Sequence, residues 1–214
     1  MSQQKTSCEA ASELLAGWLA ARSIARGLPL PVSDRGGLRV DTGSASEVKR
    51  YVYAGPTPEL RELAFSITEP GIFIKMFGPA ESLLELVPPM WRLQQGAHVM
   101  IHDGRADARP ILPGGYRLEL ATEGMVTIAR IVTIDGEVAA SGYAAEYNQT
   151  FVFDRIVIAE PHQRRGLGRA MMGVLGLSQR SASARRILVA TDAGRALYST
   201  LGWRVTFPYS TVVI

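Results

Sequence analysis

Apolar positions along the chain change their period several times, and each change marks a predicted element. Within Ser12 to Arg26, Leu14, Leu15, Trp18 and Leu19 recur at helical spacing, Ile24 follows, and Gly27 closes the segment. That pattern predicts an amphipathic helix. Pro29, Pro31 and Gly36-Gly37 make a turn-rich connector, and Leu38–Val40 and Val48–Tyr53 read as short strands. Thr57-Pro58-Glu59 is a helix start, with Thr as cap and Pro in the first turn, and the helix runs to about Ile67. Ile72–Phe77 alternates as a strand, Ala80–Leu86 reads as a helix, and His98–Ile101 as another strand. Asp103 to Gly115, with two prolines and three glycines, reads as a boundary. It separates an α/β region of residues 1–107 from a second unit of residues 108–214.

Past the boundary the texture turns to β. Tyr116–Ala121, Val126–Ile134 and Glu137–Tyr147 are predicted strands, the last two joined at Asp135-Gly136, a hairpin signal. Gln149 to Ile158 is a further strand. A helix follows from Gly168 to about Gln179, with Met171, Val174 and Leu175 on its core face. Then come the strand Ile187–Ala190, a helix from Asp192 to Leu201 and a last strand from Arg204, with Asp192 as N-cap and Gly202 just past the helix end. The order β-β-β-β-α-β-α-β defines an α/β class with a mixed sheet.

Composition adds little to this: 47% hydrophobic and 20% charged residues over 214 positions are ordinary for a globular protein. No apolar run reaches the roughly 18 residues of a membrane span, and Leu14–Ala20 is too short for a signal-peptide core, so the expected compartment is the cytoplasm and no membrane partner is expected. Cys8 stands alone, which excludes a disulfide framework and a cysteine metal site. Charge changes the picture more. The net value is +3, yet residues 155–195 hold eight arginines (155, 164, 165, 169, 180, 185, 186 and 195) against Glu160 and Asp192. This segment suits a small polyanion. Nucleic acid is not expected, because no stripe interleaves basic residues with aromatics.

At the centre of that charge lies Ile156-Val-Ile-Ala-Glu-Pro-His-Gln163-Arg-Arg-Gly166-Leu-Gly168-Arg169: a β-branched strand, a glycine loop, then a helix. Two glycines let backbone approach phosphate oxygens, and the first N–H groups of a helix lack acceptors and point at an anion. A P-loop would need Gly-Lys-Ser/Thr after Gly168, which is missing. A dinucleotide fold would need a third glycine where Met171 stands, and too little chain remains for its further βα units. Gln163-x-x-Gly166-x-Gly168 resembles the Q/R-x-x-G-x-G/A signature of the GNAT superfamily of acyl-CoA-dependent N-acyltransferases. Ala196-Leu-Tyr198-Ser-Thr-Leu-Gly202-Trp203 resembles that family's closing A-x-x-x-Y-x-x-x-G-F helix. The likeness covers about residues 116–214. It implies a GNAT-like fold there, with an N-terminal α/β region that either supplies the family's substrate-side helices or is a degenerate copy of the same fold.

The resemblance also implies chemistry. Backbone N–H groups from Arg164 through Arg169, including Arg165 and Leu167, would cradle the pyrophosphate of acetyl-CoA, with the arginine side chains reaching outer phosphates. Main-chain groups of Ile156, Val157 and Ile158 would pair with the pantetheine arm, and an N–H there, Ile158 foremost, would steady the oxyanion. Thr191 stands where the family has a cofactor-contacting Asn. Tyr198 is placed as the acid that protonates the leaving thiolate, and Asp154 and Glu146, on neighbouring strands, are the candidate bases.

Other residues carry blander expectations. His98 and His102 do not match a zinc helix, so no metal is expected. His162 reads as a solvated neighbour of the phosphates, Cys8 is not expected to act as a nucleophile, and Trp91, Tyr51, Tyr53 and Phe77 read as core before they read as a substrate pocket. The expected function is direct acetyl transfer to the amine of a small molecule or a peptide, in a monomer or homodimer. The alternative is a catalytically inactive CoA-binding regulatory module. Acceptor identity and acyl-chain preference are not encoded in any motif.

Overall fold

The computed structural model describes residues 2–104 and 110–214, with the backbone alone over residues 2–8. The centre of the Asp103–Gly115 boundary, residues 105–109, lies outside the described residues. Elements run α1 (Ser2–Ala25), β1 (Val32–Asp34), β2 (Gly37–Ser44), β3 (Glu47–Tyr53), α2 (Pro58–Ser66), β4 (Ile72–Phe77), α3 (Ala80–Leu84), β5 (Arg92–Leu93) and β6 (Ala97–His102). They continue with β7 (Tyr116–Glu123), β8 (Val126–Thr133), β9 (Val138–Tyr147), β10 (Thr150–Ile158), a 3-10 turn (Glu160–His162), α4 (Leu167–Gly176), β11 (Arg185–Ala190), α5 (Asp192–Ser199) and β12 (Arg204–Val213). Three local readings change. The first helix starts ten residues earlier than its apolar stripe, because good helix formers such as Gln3, Gln4, Lys5, Glu9 and Ala10 extend it without one. β1 and β5 are too short to show a period. The cap of α5 is Thr191, whose hydroxyl accepts from the Gly194 N–H, and Asp192 is its first helical residue.

All strands join one mixed sheet in the order β1-β2-β3-β4-β12-β6-β11-β10-β9-β8-β7, with β5 on the end of β12. The two halves of the chain trace the same path. In each, an antiparallel run (β1-β2-β3, or β8-β9-β10) leads into a parallel β-α-β unit (β3-α2-β4, or β10-α4-β11), then a helix and a final strand. The final strands are exchanged: β6 pairs with β11 of the second half, and β12 with β4 of the first. β6 and β12 pair with each other at the centre, antiparallel, like two strands about a local two-fold. The N-terminal region is therefore a second, altered copy of the C-terminal β-α-β plan.

Alternation along the strands fixes the layers. Val152 packs with α1 while its neighbours Phe151 and Phe153 pack with α4; likewise Val52 faces α1 while Tyr51 and Tyr53 face α2. Helices α2 to α5 thus cover one face, half by half, and α1 alone crosses the middle of the other. Its Trp18 is 1% exposed and meets the rings of Phe77 and Tyr209 at 5.7 and 5.5 Å. Burial of Trp18, Leu15 and Leu19 contributes about 1.5–3 kcal/mol each, which seats the helix. Among the described residues no helix is long and apolar enough to cross a membrane.

Candidate active site

The site begins as a failure of strand pairing. β10 and β11 run parallel in register from Thr150↔Arg185 to Val152↔Ile187 and then part. The cause lies in β10, which bulges against β9 between Asp154 and Val157, with Arg155 forced to φ +50°. A bulge bends its strand and sharpens the twist, so β10 turns away while β11 stays with β6 as far as Ala190. The Ala159 N–H donates to Ala139 O at 2.9 Å. By alternation, Ile158 and Ile156 turn their main-chain groups away from β9 and into the gap. The Ile158 carbonyl accepts from Gln163 Nε2 at 3.4 Å. The gap opens into a cleft of about 760 Å³ between the two strands, floored by Tyr198 and Leu197 of α5 and closed at one end by α1.

At the other end is the glycine loop. Arg164 at φ +62° and Gly166 at φ +82° turn successive peptides inward, and α4 starts on Gly166 with no side-chain cap. Ala170 is the first residue whose N–H reaches back along the helix, to Gly166 O at 3.1 Å. The N–H groups of Leu167, Gly168 and Arg169 therefore have no helical acceptor and meet the cleft mouth. A Cβ on Gly168 would sit 2.6 Å from Leu197 Cδ2, so any side chain there makes Leu197, on the cleft floor, shift. His162 secures the loop from below. It is 8% exposed and not the solvated neighbour expected; its Nδ1 is 2.9 Å from Tyr116 Oη, which in turn accepts from Arg165 at 3.3 Å.

The expected site residues divide on this geometry. Ile156, Ile158, Gln163, Arg164, Gly166, Leu167, Gly168, Arg169, Thr191, Asp154 and Tyr198 all line the cleft. Val157 and Arg165 do not: Val157 directs its main chain to β9 and its side chain to solvent, and Arg165 points at Tyr116. Glu146 lies away from the cleft, and its two oxygens accept the Arg180 and Ser181 N–H groups at 2.7 and 2.9 Å, tying down the loop before β11. Trp91, Tyr51, Tyr53 and Phe77 are core. His98 pairs with Asp192 at 2.8 Å and His102 with the Gly104 carbonyl. Among the described residues no group of His, Cys, Asp or Glu is placed to hold a metal. The side chain of Cys8 lies outside the described residues.

Tyr198 is 8% exposed and, among the described residues, has no hydrogen-bond partner for its hydroxyl; burial raises its pKa to about 12. It is a protonated phenol facing the cleft. Asp154 is the reverse. Burial pushes its carboxyl up, but the hydrogen bond from Arg26 and the charges of Arg22, Arg26 and Arg155 outweigh that and hold it below the usual range. Arg26 binds it through Nε at 2.6 Å and Nη2 at 2.9 Å, and Arg22 Nε stands at 3.6 Å. Trp18, Arg22 and Arg26 line the cleft from α1. They were not visible as site residues in the sequence, since nothing in a helix more than a hundred positions upstream shows which strand it will cover.

No protein-family model matches the chain, and no curated protein resembles it closely enough in sequence to match. Solved structures do. The fold is similar to a GCN5-related N-acetyltransferase from Kribbella flavida, with TM-score 0.61, 13% identity, and 92% of this chain and 95% of that one covered. A putative acetyltransferase of the GNAT family from Novosphingobium aromaticivorans gives TM-score 0.58 and 15% identity over the same shares. A GCN5-related N-acetyltransferase from Sphaerobacter thermophilus gives TM-score 0.51 and 16% identity, with 67% of this chain spanning 59% of that one. The architecture is the GNAT fold, and it extends over both halves of the chain.

Proposed function

We propose that the chain is an acyl-CoA-dependent N-acyltransferase using acetyl-CoA. The observation that carries this reading is the cleft itself: strands opened by a bulge, an uncapped helix N-terminus at one end and a buried phenol on the floor. The fit to the cosubstrate rests on the free N–H groups of residues 167–169, a ready anion cradle. Gln163, Arg164 and Arg169 flank that cradle, while main-chain groups of Ile156 and Ile158 offer a strand edge to the pantetheine amides. Bound there, acetyl-CoA supplies an acetyl group on a thioester.

Tyr198 holds the proton for the departing sulfur, and a phenol raised to about 12 keeps it across the physiological range. The Ile158 N–H, turned into the gap between β10 and β11, would donate to the oxyanion of acyl transfer. Asp154 acts by fixing the arginines rather than as the base, since a carboxylate gripped by Arg26 and held below its usual range is poorly matched to accept a proton near neutrality. Glu146 takes no part. A second reading, an inactive CoA-binding module, draws support from one observation: Asp154 is the one acid among the described residues lining the cleft, and it is fully engaged. Thiol release from acetyl-CoA over a panel of amines separates the two. Transfer gives amine-dependent free CoA; the module gives acetyl-CoA binding with none.

A further inference from the structure

The α1 end of the cleft carries more positive charge than its own carboxylates can use. Arg22, Arg26 and Arg155 converge on the single carboxylate of Asp154, at 3.6, 2.6 and 3.8 Å. One guanidinium neutralises a carboxylate, and Arg26 already does so with two hydrogen bonds. Behind them the imbalance continues. Arg50, buried, and Lys75, half-buried, share Glu47 at 2.8 and 3.3 Å. Five cations therefore face two carboxylates.

Several donors in this cluster have no acceptor. Arg22 Nη1, Arg50 Nε and the Tyr209 hydroxyl are occluded without a hydrogen-bond partner, against one such acceptor, Glu47 Oε1, which Lys75 approaches at 3.3 Å. A buried donor left unpaired costs about 1–3 kcal/mol, so the fold sustains this arrangement against its own stability. The surplus also shows in the neighbours. Burial, reinforced by the charges of Arg22 and Arg50, lowers Lys75 to about 8, and burial with the charge of Arg22 lowers Arg50. The guanidiniums are held rigidly for the purpose: Arg22 lies over the Trp18 ring at 5.2 Å, Arg155 over Tyr143 at 3.6 Å, and Arg155 also donates to the Ala25 carbonyl.

Position decides what this charge is for. The pyrophosphate cradle of residues 167–169 lies past the end of β10 at Ile158, whereas Asp154 stands before the bulge on that strand. The cluster sits instead where the strands part, at the end of the cleft away from that cradle and so the end left for an acceptor on the acyl-transfer reading. Resting on the acyl-transfer reading, we infer that the acceptor is an amine bearing an oxyanion, a carboxylate or a phosphate, which Arg22 and Arg155 bind at the α1 end of the cleft. The same field disfavours an ammonium, so the acceptor nitrogen gives its proton to solvent water more readily here and attacks as the neutral amine without Asp154 as base.

The test is amine-dependent CoA release with paired acceptors: amino acids and dipeptides against their carboxamides, and amino-alcohol and amino-sugar phosphates against the unphosphorylated compounds. The expected result is kcat/KM at least about 30-fold higher for the charged member of any pair that reacts, the carboxylate and phosphate arms telling which oxyanion is used. Arg22→Gln should reduce that ratio to near unity, chiefly through KM for the charged member, with acetyl-CoA affinity unchanged. Arg155→Gln, at a partly exposed position, repeats the measurement where Arg22→Gln folds poorly. Equal use of charged and uncharged acceptors, or a ratio untouched by both variants, overturns the inference while leaving acyl transfer standing. No CoA release from any amine, with acetyl-CoA bound, overturns the acyl-transfer reading and this inference with it.

Discussion

The two β-α-β units occupy equivalent places in the sheet and differ in what they leave open. In the first, β3 and β4 stay paired over five positions, from Lys49↔Ile72 to Tyr53↔Met76. In the second, β10 and β11 pair over three and then part at the bulge. The helices that follow differ in the same sense. α2 begins on Thr57, whose hydroxyl takes the Leu60 N–H, with Pro58 removing another donor. α4 begins on Gly166 with no cap. One helix N-terminus is satisfied by its own chain and the other is left open. On the proposed function, the comparison teaches that a binding site on this plan is made by withholding local satisfaction, at the strand and at the helix end together.

The largest expected effect attacks the open unit directly. Gly168→Leu places a side chain where a Cβ alone comes within 2.6 Å of Leu197, and acetyl-CoA binding should fall below detection by calorimetry, with the fold retained by circular dichroism. Next in size is Asp154→Ala. It strands Arg22 and Arg26 without their buried counter-charge and should cost about 3–5 kcal/mol in chemical denaturation. In the wild-type protein that contribution is complete above the ordinary carboxylate range and is lost as pH falls through the depressed native value, so acid should mimic the variant. A general base would behave otherwise: Asp154→Asn would then erase the acidic limb of the kcat/KM profile, and the account predicts that the limb stays.

Tyr198→Phe should lower kcat about ten-fold or more while acetyl-CoA binds as before; an unchanged kcat would remove the phenol from the chemistry. The smallest effect belongs to the closed unit. Thr57→Ala should cost about 1 kcal/mol through the lost cap and leave acetyl-CoA affinity untouched. A change in affinity there would mean that the two units are less separate than the sheet suggests.

Most elements were legible because their residues carry a local signal. The Thr57-Pro58 start, the Ile72–Phe77 alternation and the Asp135-Gly136 hairpin each depend on a few neighbouring positions, and they fold as read. The tight loop from Gln163 to Gly168 was legible for the same reason: a turn into an uncapped helix start with φ +82° at Gly166 calls for glycine at a fixed offset. Long-range choices left no such mark. Nothing in Ala97–His102 states that it will slot between β11 and β12, and nothing in α1 states that Arg22 and Arg26 will reach Asp154 across 132 and 128 positions, the differences of their residue numbers. Asp154 and Glu146 illustrate the limit well. Both are strand carboxylates near the site in sequence, and only the fold shows one held by arginines and the other holding a loop.

The central claim is that one unit of this doubled plan is open to an acyl-CoA and the other is closed. Calorimetric titration of the full chain with acetyl-CoA tests it most directly. The account predicts a single site per chain, abolished by Gly168→Leu and unaffected by Thr57→Ala. Two sites per chain, or a single site that survives Gly168→Leu, would contradict it.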